Sequence, residues 1–132
     1  MNMLAPHAFR AGERWLYRPP AEFKGSRLVV GAVLTFHDRE PIVCCAVIGA
    51  PRRLPDGSMD EVTIPFLPLT ASALEASVVG RDGESELPSQ FADAFRCWRE
   101  DPRGLSAFTV PFEGPLDRLI ARQMAEIVGA KL

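Results

Sequence analysis

The sequence predicts an α+β domain, with a small, curved, mainly antiparallel sheet or a partial β-barrel covered by two or three helices. Segments rich in β-branched residues fill the first half of the chain, and segments with apolar residues at helical spacing fill the second half. The chain has 132 residues, of which 47% are hydrophobic and 24% are charged. That size and composition are typical of one globular domain, here residues 1–132.

The first predicted elements are strands. Trp15 to Tyr17 read as a short extended segment at a sheet edge, ended by Pro19 and Pro20. Residues 27–36 and 42–50 form a hairpin of long strands around a polar turn at 37–41. Because both strands are apolar almost throughout, we expect the sheet to be covered on both faces.

The middle of the chain changes from strand to helix. Residues 51–59 contain a Pro-Asp-Gly turn and lead to a third strand over 61–66. Thr70 can cap a short helix that ends before Gly80, although a strand also suits its last residues. Residues 81–86 read as a charged loop.

Two helices are predicted in the last third. Ser89 caps the first, which ends at Asp101 and carries Phe91, Ala94, Phe95 and Trp98 on one face. A strand over residues 105–112 follows. The second helix, residues 116–128, has an apolar stripe and is expected to pack on the sheet.

The segments 63–69 and 109–116 resemble each other, because each places Thr, an aliphatic residue, Pro and Phe in succession. Each is followed by a predicted helix that ends near a glycine. An internal duplication and shared turn chemistry are both open explanations.

Charge and cysteine usage bound the functional class. The 15 basic and 17 acidic residues are spread evenly, which does not favour nucleic-acid binding through bulk charge. Residues 1–10 lack the features of a secretory signal, and no apolar run reaches the roughly 20 residues of a membrane span. The adjacent Cys44 and Cys45 are predicted to be buried thiols on opposite faces of a strand. We therefore expect a soluble, cytoplasmic protein.

The sequence predicts no metal site and no cofactor. His7 and His37 lie far apart, and vicinal cysteines on a strand cannot readily bind one ion. Glycine-rich phosphate loops and the nucleophile elbow of hydrolases are absent. Cys97 is predicted to be a core residue, and the pairs Asp60-Glu61 and Glu100-Asp101 are predicted to be solvated turn residues.

Two other groups of side chains are candidate sites. The polar residues 35–40 and the Arg52-Arg53 pair should lie at opposite ends of the hairpin, and so should not form one site. A set of aromatic residues could stack on bases, but core packing is favoured because the same strands lack interleaved basic residues. The set is Trp15, Tyr17, Phe36, Phe66, Phe108 and Phe112.

Three short segments resemble the small-barrel growth-inhibitor toxins of the PemK and MazF type. The segments are Gly31-Ala32-Val33, Arg39-Glu40-Pro41, and Val62-Thr63-Ile64 closing on Pro68-Leu69-Thr70. The resemblance covers about residues 31–70. It implies a barrel-shaped endoribonuclease, usually dimeric and paired with an antitoxin. Arg39 would be its acid or phosphate-binding arginine, and Thr70 would be the hydroxyl near the scissile phosphate. The chain departs from the pattern at Glu40, which interrupts the Arg-Pro step, and in the loop before it, which is nearly absent.

Three functional hypotheses follow. The leading one is a noncatalytic binding or protein-interaction domain with a protein partner, because no convergent set of reactive residues is visible. The first alternative is a PemK/MazF-like endoribonuclease that acts on RNA through Arg39 and Thr70. The second is a small-molecule-binding protein with an apolar pocket. A homodimer stays open under each hypothesis.

Overall fold

A computed structural model describes residues 9–18, 25–102, 104–109 and 112. These residues form five antiparallel strands and two helices, so the α+β class is confirmed. The strands do not close on themselves, and the described sheet is open. The elements are β1 (Glu13–Tyr17), β2 (Arg27–Leu34), β3 (Ile42–Arg53), β4 (Met59–Thr70), α1 (Ala71–Ser77), β5 (Val78–Glu84) and α2 (Phe91–Arg99).

The strand order is β4-β3-β2-β1-β5. β1 therefore lies inside the sheet, and its predicted place at an edge is wrong. It pairs with β2 on one side and with β5 on the other, where Trp15 lies opposite Arg81. The predicted loop at 81–86 is also wrong, because most of it belongs to β5. This strand has charged residues and two glycines instead of an apolar run, and it is defined by its pairing with β1.

β3 and β4 are both longer than predicted, because each continues through proline, which suggests a strand end in the sequence. β3 continues through Pro51 to Arg53, beyond the point where β2 ends opposite Ile48, so the missing Pro51 N–H costs no hydrogen bond to β2. β4 contains two prolines, a residue type tolerated in edge strands. Pro68 still accepts a hydrogen bond, because its carbonyl takes the backbone N–H of Phe108 at 2.9 Å.

Both faces of the sheet are covered, as predicted. One apolar cluster includes residues of α1 together with Leu28, Val30 and Cys45. The cluster on the other face includes residues of α2 together with Ile42 and Cys44. The two cysteines are buried on opposite faces, as expected. The aromatic set of the sequence analysis packs in or against these clusters, which confirms the core interpretation.

A register shift at Gly31 lets β2 serve both clusters. Val30 pairs with Cys45 and Ala32 pairs with Cys44, so Gly31 is an extra residue in the ladder. Val30 joins one cluster and Ala32 joins the other. Gly31 also lies under α2, where a Cβ atom would overlap the ring of Phe91. Only glycine fits there without a shift of the helix.

Both described helices match predicted helices, but only one has its predicted cap. Thr70 caps α1, accepting the N–H of Ala73 at 3.3 Å. The predicted Ser89 cap is wrong: Gln90 occupies the N-cap of α2 without a side-chain hydrogen bond, and the Ser89 hydroxyl lies 3.4 Å from the Gln90 side chain. The indole N–H of Trp98 donates to the carbonyl of Ser106 at 2.8 Å. α2 is thereby tied to the following segment.

The predicted strand over 105–112 is not a strand where it is described. Its only pairing in the described residues is a parallel bridge between Phe108 and Leu69. Residues 110–111, the predicted helix over 116–128, most of the echo segment 109–116 and His7 lie outside the described residues. No helix in the described part of the chain is long and apolar enough to cross a membrane.

Candidate functional site

The end of the sheet that carries the β2–β3 turn is built around the first turn of α1. The Glu40 carboxylate accepts the backbone N–H of Ser72 at 2.8 Å and the Ser72 hydroxyl at 3.0 Å. The carbonyl of Pro41 accepts the N–H of Ala71 at 2.9 Å. With Thr70 bonded to Ala73, the first three N–H groups of the helix are satisfied by protein atoms. The glutamate that departs from the toxin pattern is therefore a helix-capping residue.

The two residues that the toxin resemblance singles out lie at this same end of the sheet. Thr70 pairs with Ile42 across the β3–β4 ladder, and Ile42 follows Arg39 by three positions in the chain. Thr70 is buried, with its hydroxyl used in the cap. Arg39 is exposed, and its guanidinium lies 5.1 Å from the centre of the Phe36 ring. No hydrogen bond or ion pair between the two is seen in the described residues.

The cysteines differ in exposure. Burial raises the pKa of the Cys44 thiol to about 12, and burial together with the neighbouring Cys44 raises that of Cys45 further. Neither thiol forms a nucleophilic thiolate readily at neutral pH. Cys97 is exposed on α2, so its predicted core role is wrong. The helical face of Phe91, Ala94 and Trp98 turns toward the sheet, whereas Cys97 lies outside it.

Charged residues join β1, β2 and β5. Arg27 Nε lies 2.6 Å from the Asp82 carboxylate, and Arg14 Nε lies 3.4 Å from it. The hydrogen bond from Arg27, followed by the charges of both arginines, lowers the pKa of Asp82. Glu13 is buried and accepts the backbone N–H of Arg10 at 2.9 Å. These contacts hold three strands in register and account for the polar groups in this region.

The opposite end of the sheet projects as a two-stranded ribbon. Beyond the Arg27–Ile48 pair, β3 continues with β4 as its only described partner strand. We call residues 52–61 the arm. Its base is fixed by Ala50 and Pro51, which are buried, whereas most residues from 53 to 61 are exposed or half-buried at the tip. The arm and the residues 35–40 lie at opposite ends of the β2–β3 hairpin, as the sequence predicts.

The arm has a defined turn and a cross-strand ion pair. Leu54 accepts the N–H of Gly57 at 2.9 Å and donates its own N–H to the Ser58 carbonyl at 2.8 Å, and Gly57 has a positive φ of 90°. This is a three-residue loop with a glycine bulge. Arg52 binds Asp60 through two hydrogen bonds of 3.0 and 2.6 Å, which lower the pKa of the Asp60 carboxyl.

The turn fixes which backbone groups of β4 point outward. Leu54 and Ser58 are joined by one ladder hydrogen bond, from the Leu54 N–H to the Ser58 carbonyl, and bonded positions alternate with non-bonded pairs along an antiparallel ladder. The Arg53–Met59 and Pro51–Glu61 pairs are then non-bonded. The absence of an N–H on Pro51 agrees with this alternation. Met59 and Glu61 therefore turn their N–H and C=O groups away from β3, toward the outer edge.

Sequence reasoning missed the arm as a structure. It assigned residues 51–59 to a turn and treated the Asp60-Glu61 pair as solvated turn residues, although Glu61 also began the predicted third strand; both acidic residues lie in β4. A signal was present: Arg52 and Asp60 are equidistant from Asp56 at the centre of the Pro-Asp-Gly turn, which is the spacing of cross-strand partners.

Among the described residues, no three His, Cys, Asp or Glu side chains come together in a set that could hold a metal ion. No family model, no curated protein and no solved structure matches this chain. Of the residues that the structure describes, those of the arm form the strongest candidate site.

Proposed function

We propose that this protein is a noncatalytic protein-interaction module and that the arm is the surface that contacts its partner. The proposal rests on the ordered conformation of the arm. A defined turn, a bidentate Arg52–Asp60 pair and a buried base order a ribbon whose tip adds little to either apolar cluster. Ordering exposed chain costs conformational entropy, and a binding surface held in advance recovers that cost as affinity.

The charges of the arm favour a protein partner over RNA. The arm carries two arginines and three acidic residues, so its formal charge is negative. Arg52 is already paired with Asp60. Phosphate backbones require a surplus of cationic groups, whereas a protein partner can complement either sign.

The experiment is a cross-linking pull-down with the purified protein as bait. Wild type is compared with Glu61→Lys in the arm and with Glu86→Lys, an exposed site outside it. We expect a partner that wild type and Glu86→Lys retain and that Glu61→Lys loses by about tenfold, or roughly 1.4 kcal/mol. A partner retained equally by all three proteins would overturn the role of the arm.

We also propose that residues 116–128 form a helix that packs on the sheet. The support is the spacing of six apolar residues, Leu116, Leu119, Ile120, Met124, Ile127 and Val128, along one predicted helical face. Removal of residues 116–132 should then lower the melting temperature and expose apolar surface to a hydrophobic dye. An unchanged melting temperature would contradict the packing.

A further inference from the structure

We propose that the outer edge of β4, from Met59 to Glu61, binds an extended, basic segment of a protein partner as an added β-strand. This inference rests on the proposed function and deepens it, because it names how the arm binds and what chemistry the partner supplies. Strand addition draws its affinity from backbone hydrogen bonds and its specificity from alternate side chains.

The backbone groups required for strand addition are in place. Met59 and Glu61 point their N–H and C=O groups outward, as the alternation from the Leu54–Ser58 pair requires. Glu61 is exposed, and its carboxylate makes no ion pair with any of the described residues. An incoming strand can therefore approach this edge without displacing a contact seen in the structure.

From Pro65 onward the β4 edge is poorly suited to a partner, which limits the site to the N-terminal part of the strand. Pro65 and Pro68 have no N–H to donate. Beyond them, Phe108 already pairs with the edge: it donates to the carbonyl of Pro68 at 2.9 Å and accepts the N–H of Thr70 at 3.0 Å.

The acidic residues of β4 favour a basic partner strand. From Met59 to Thr70 this strand contains Asp60 and Glu61 and no basic residue. Arg52 pairs with Asp60 from the inner strand, whereas the exposed Glu61 carboxylate has no ion pair among the described residues. A second copy paired through the same edge would bring the acidic residues of the two strands together, which is destabilising. A lysine- or arginine-containing strand gains the opposite contact.

The probe is a fluorescein-labelled peptide of about seven residues that alternates valine and lysine, with its binding followed by fluorescence polarisation. Three full-length proteins are compared: wild type, Glu61→Gln and Glu61→Pro. The glutamine removes only the charge, whereas the proline also removes the outward N–H and leaves the inner ladder unchanged, because this position does not bond to β3. Melting temperatures confirm that each variant folds.

We expect Glu61→Gln to weaken peptide binding about threefold and Glu61→Pro to weaken it by a further tenfold or so. A peptide in which alternate amides are N-methylated should not bind. Equal affinity of the proline and glutamine variants would overturn strand addition. If Glu61→Lys still loses the partner of the pull-down, that result would leave the interaction function of the arm standing. Self-association of wild type, lost in Glu61→Pro, would instead identify a second copy as occupant and overturn the basic partner.

Discussion

The carboxylate of Glu40 accepts both polar hydrogens of Ser72, the backbone N–H at 2.8 Å and the hydroxyl at 3.0 Å. The contact joins the β2–β3 turn to the first turn of α1 across 32 residues of sequence. A negative charge at this position also interacts favourably with the helix dipole. The residue that breaks the Arg-Pro step of the toxin pattern thus fastens a turn to a helix.

Glu40→Ala should therefore destabilise the protein by about 1 kcal/mol, or lower its melting temperature by about 4 °C. Thermal unfolding followed by circular dichroism measures the change. Glu86→Ala, which removes an exposed carboxylate without such a contact, is the control. Equal melting temperatures for the two variants would show that the Glu40 contact does not stabilise the fold.

Gly31→Ala should destabilise the protein by about 1–3 kcal/mol, because the new methyl group would overlap the ring of Phe91. The double variant with Phe91→Ala tests the cause. If the overlap is responsible, the alanine at position 31 should cost much less in that background, and the double-mutant cycle should give a coupling energy. Additive effects in urea unfolding would exclude the overlap.

Asp60→Asn should change the response of the protein to acid. Hydrogen bonds from Arg52 lower the pKa of Asp60 in the folded state. The resulting stabilisation is present above the unfolded-state pKa of about 4 and is lost as pH falls through the lower folded-state pKa. The variant should be less stable than wild type at pH 7, and the difference should shrink below about pH 3. Asp38→Asn, which removes an exposed carboxylate from the β2–β3 turn, is the control variant.

Thiol labelling should separate the three cysteines. Cys97 is exposed and should react with iodoacetamide in the native protein, whereas Cys44 and Cys45 should react only after unfolding. Mass spectrometry of labelled peptides measures the sites. Rapid native labelling of the peptide that contains Cys44 and Cys45 would show that the sheet opens far more readily than its buried strands indicate.

Purified wild-type protein and Arg39→Ala should both leave a mixed RNA pool intact, because the proposed function is noncatalytic. Gel analysis at high protein concentration measures cleavage. Cleavage by wild type that Arg39→Ala abolishes would replace the interaction proposal with the toxin-like one. In that case Thr70→Ser, which keeps the capping oxygen, should retain activity better than Thr70→Val.

The local signals in the sequence predicted the β2–β3 hairpin and both described helices. The hairpin follows from two apolar runs around a polar turn, and α2 follows from the spacing of Phe91, Ala94 and Trp98. β5 was not predictable in this way, because its charged and glycine residues resemble a loop until β1 is placed beside it. Propensity gives way to tertiary pairing in such strands.

The arm was not predicted from the sequence for a different reason. Pro51 reads as the end of a strand in sequence, yet β2 has already ended at that point, and a proline can occupy the ribbon without losing a ladder hydrogen bond. The Arg52–Asp60 partnership becomes visible only after the turn is centred on Asp56. The outward-facing edge of the arm cannot be assigned until the pairing register of β3 and β4 is known.

The pairing of β1 with β5 also has a kinetic consequence. Arg14 and Asp82, which meet across this pair, are 68 positions apart in the chain. Closing so long a loop is entropically costly before its contacts form, and folds with distant pairings fold slowly. During synthesis, β1, β2, β3 and β4 can pair as a meander before β5, which follows β4 after the short helix α1, leaves the ribosome. Until β5 emerges, β1 has an unpaired outer edge, and an unpaired strand edge exposes the nascent chain to misassembly.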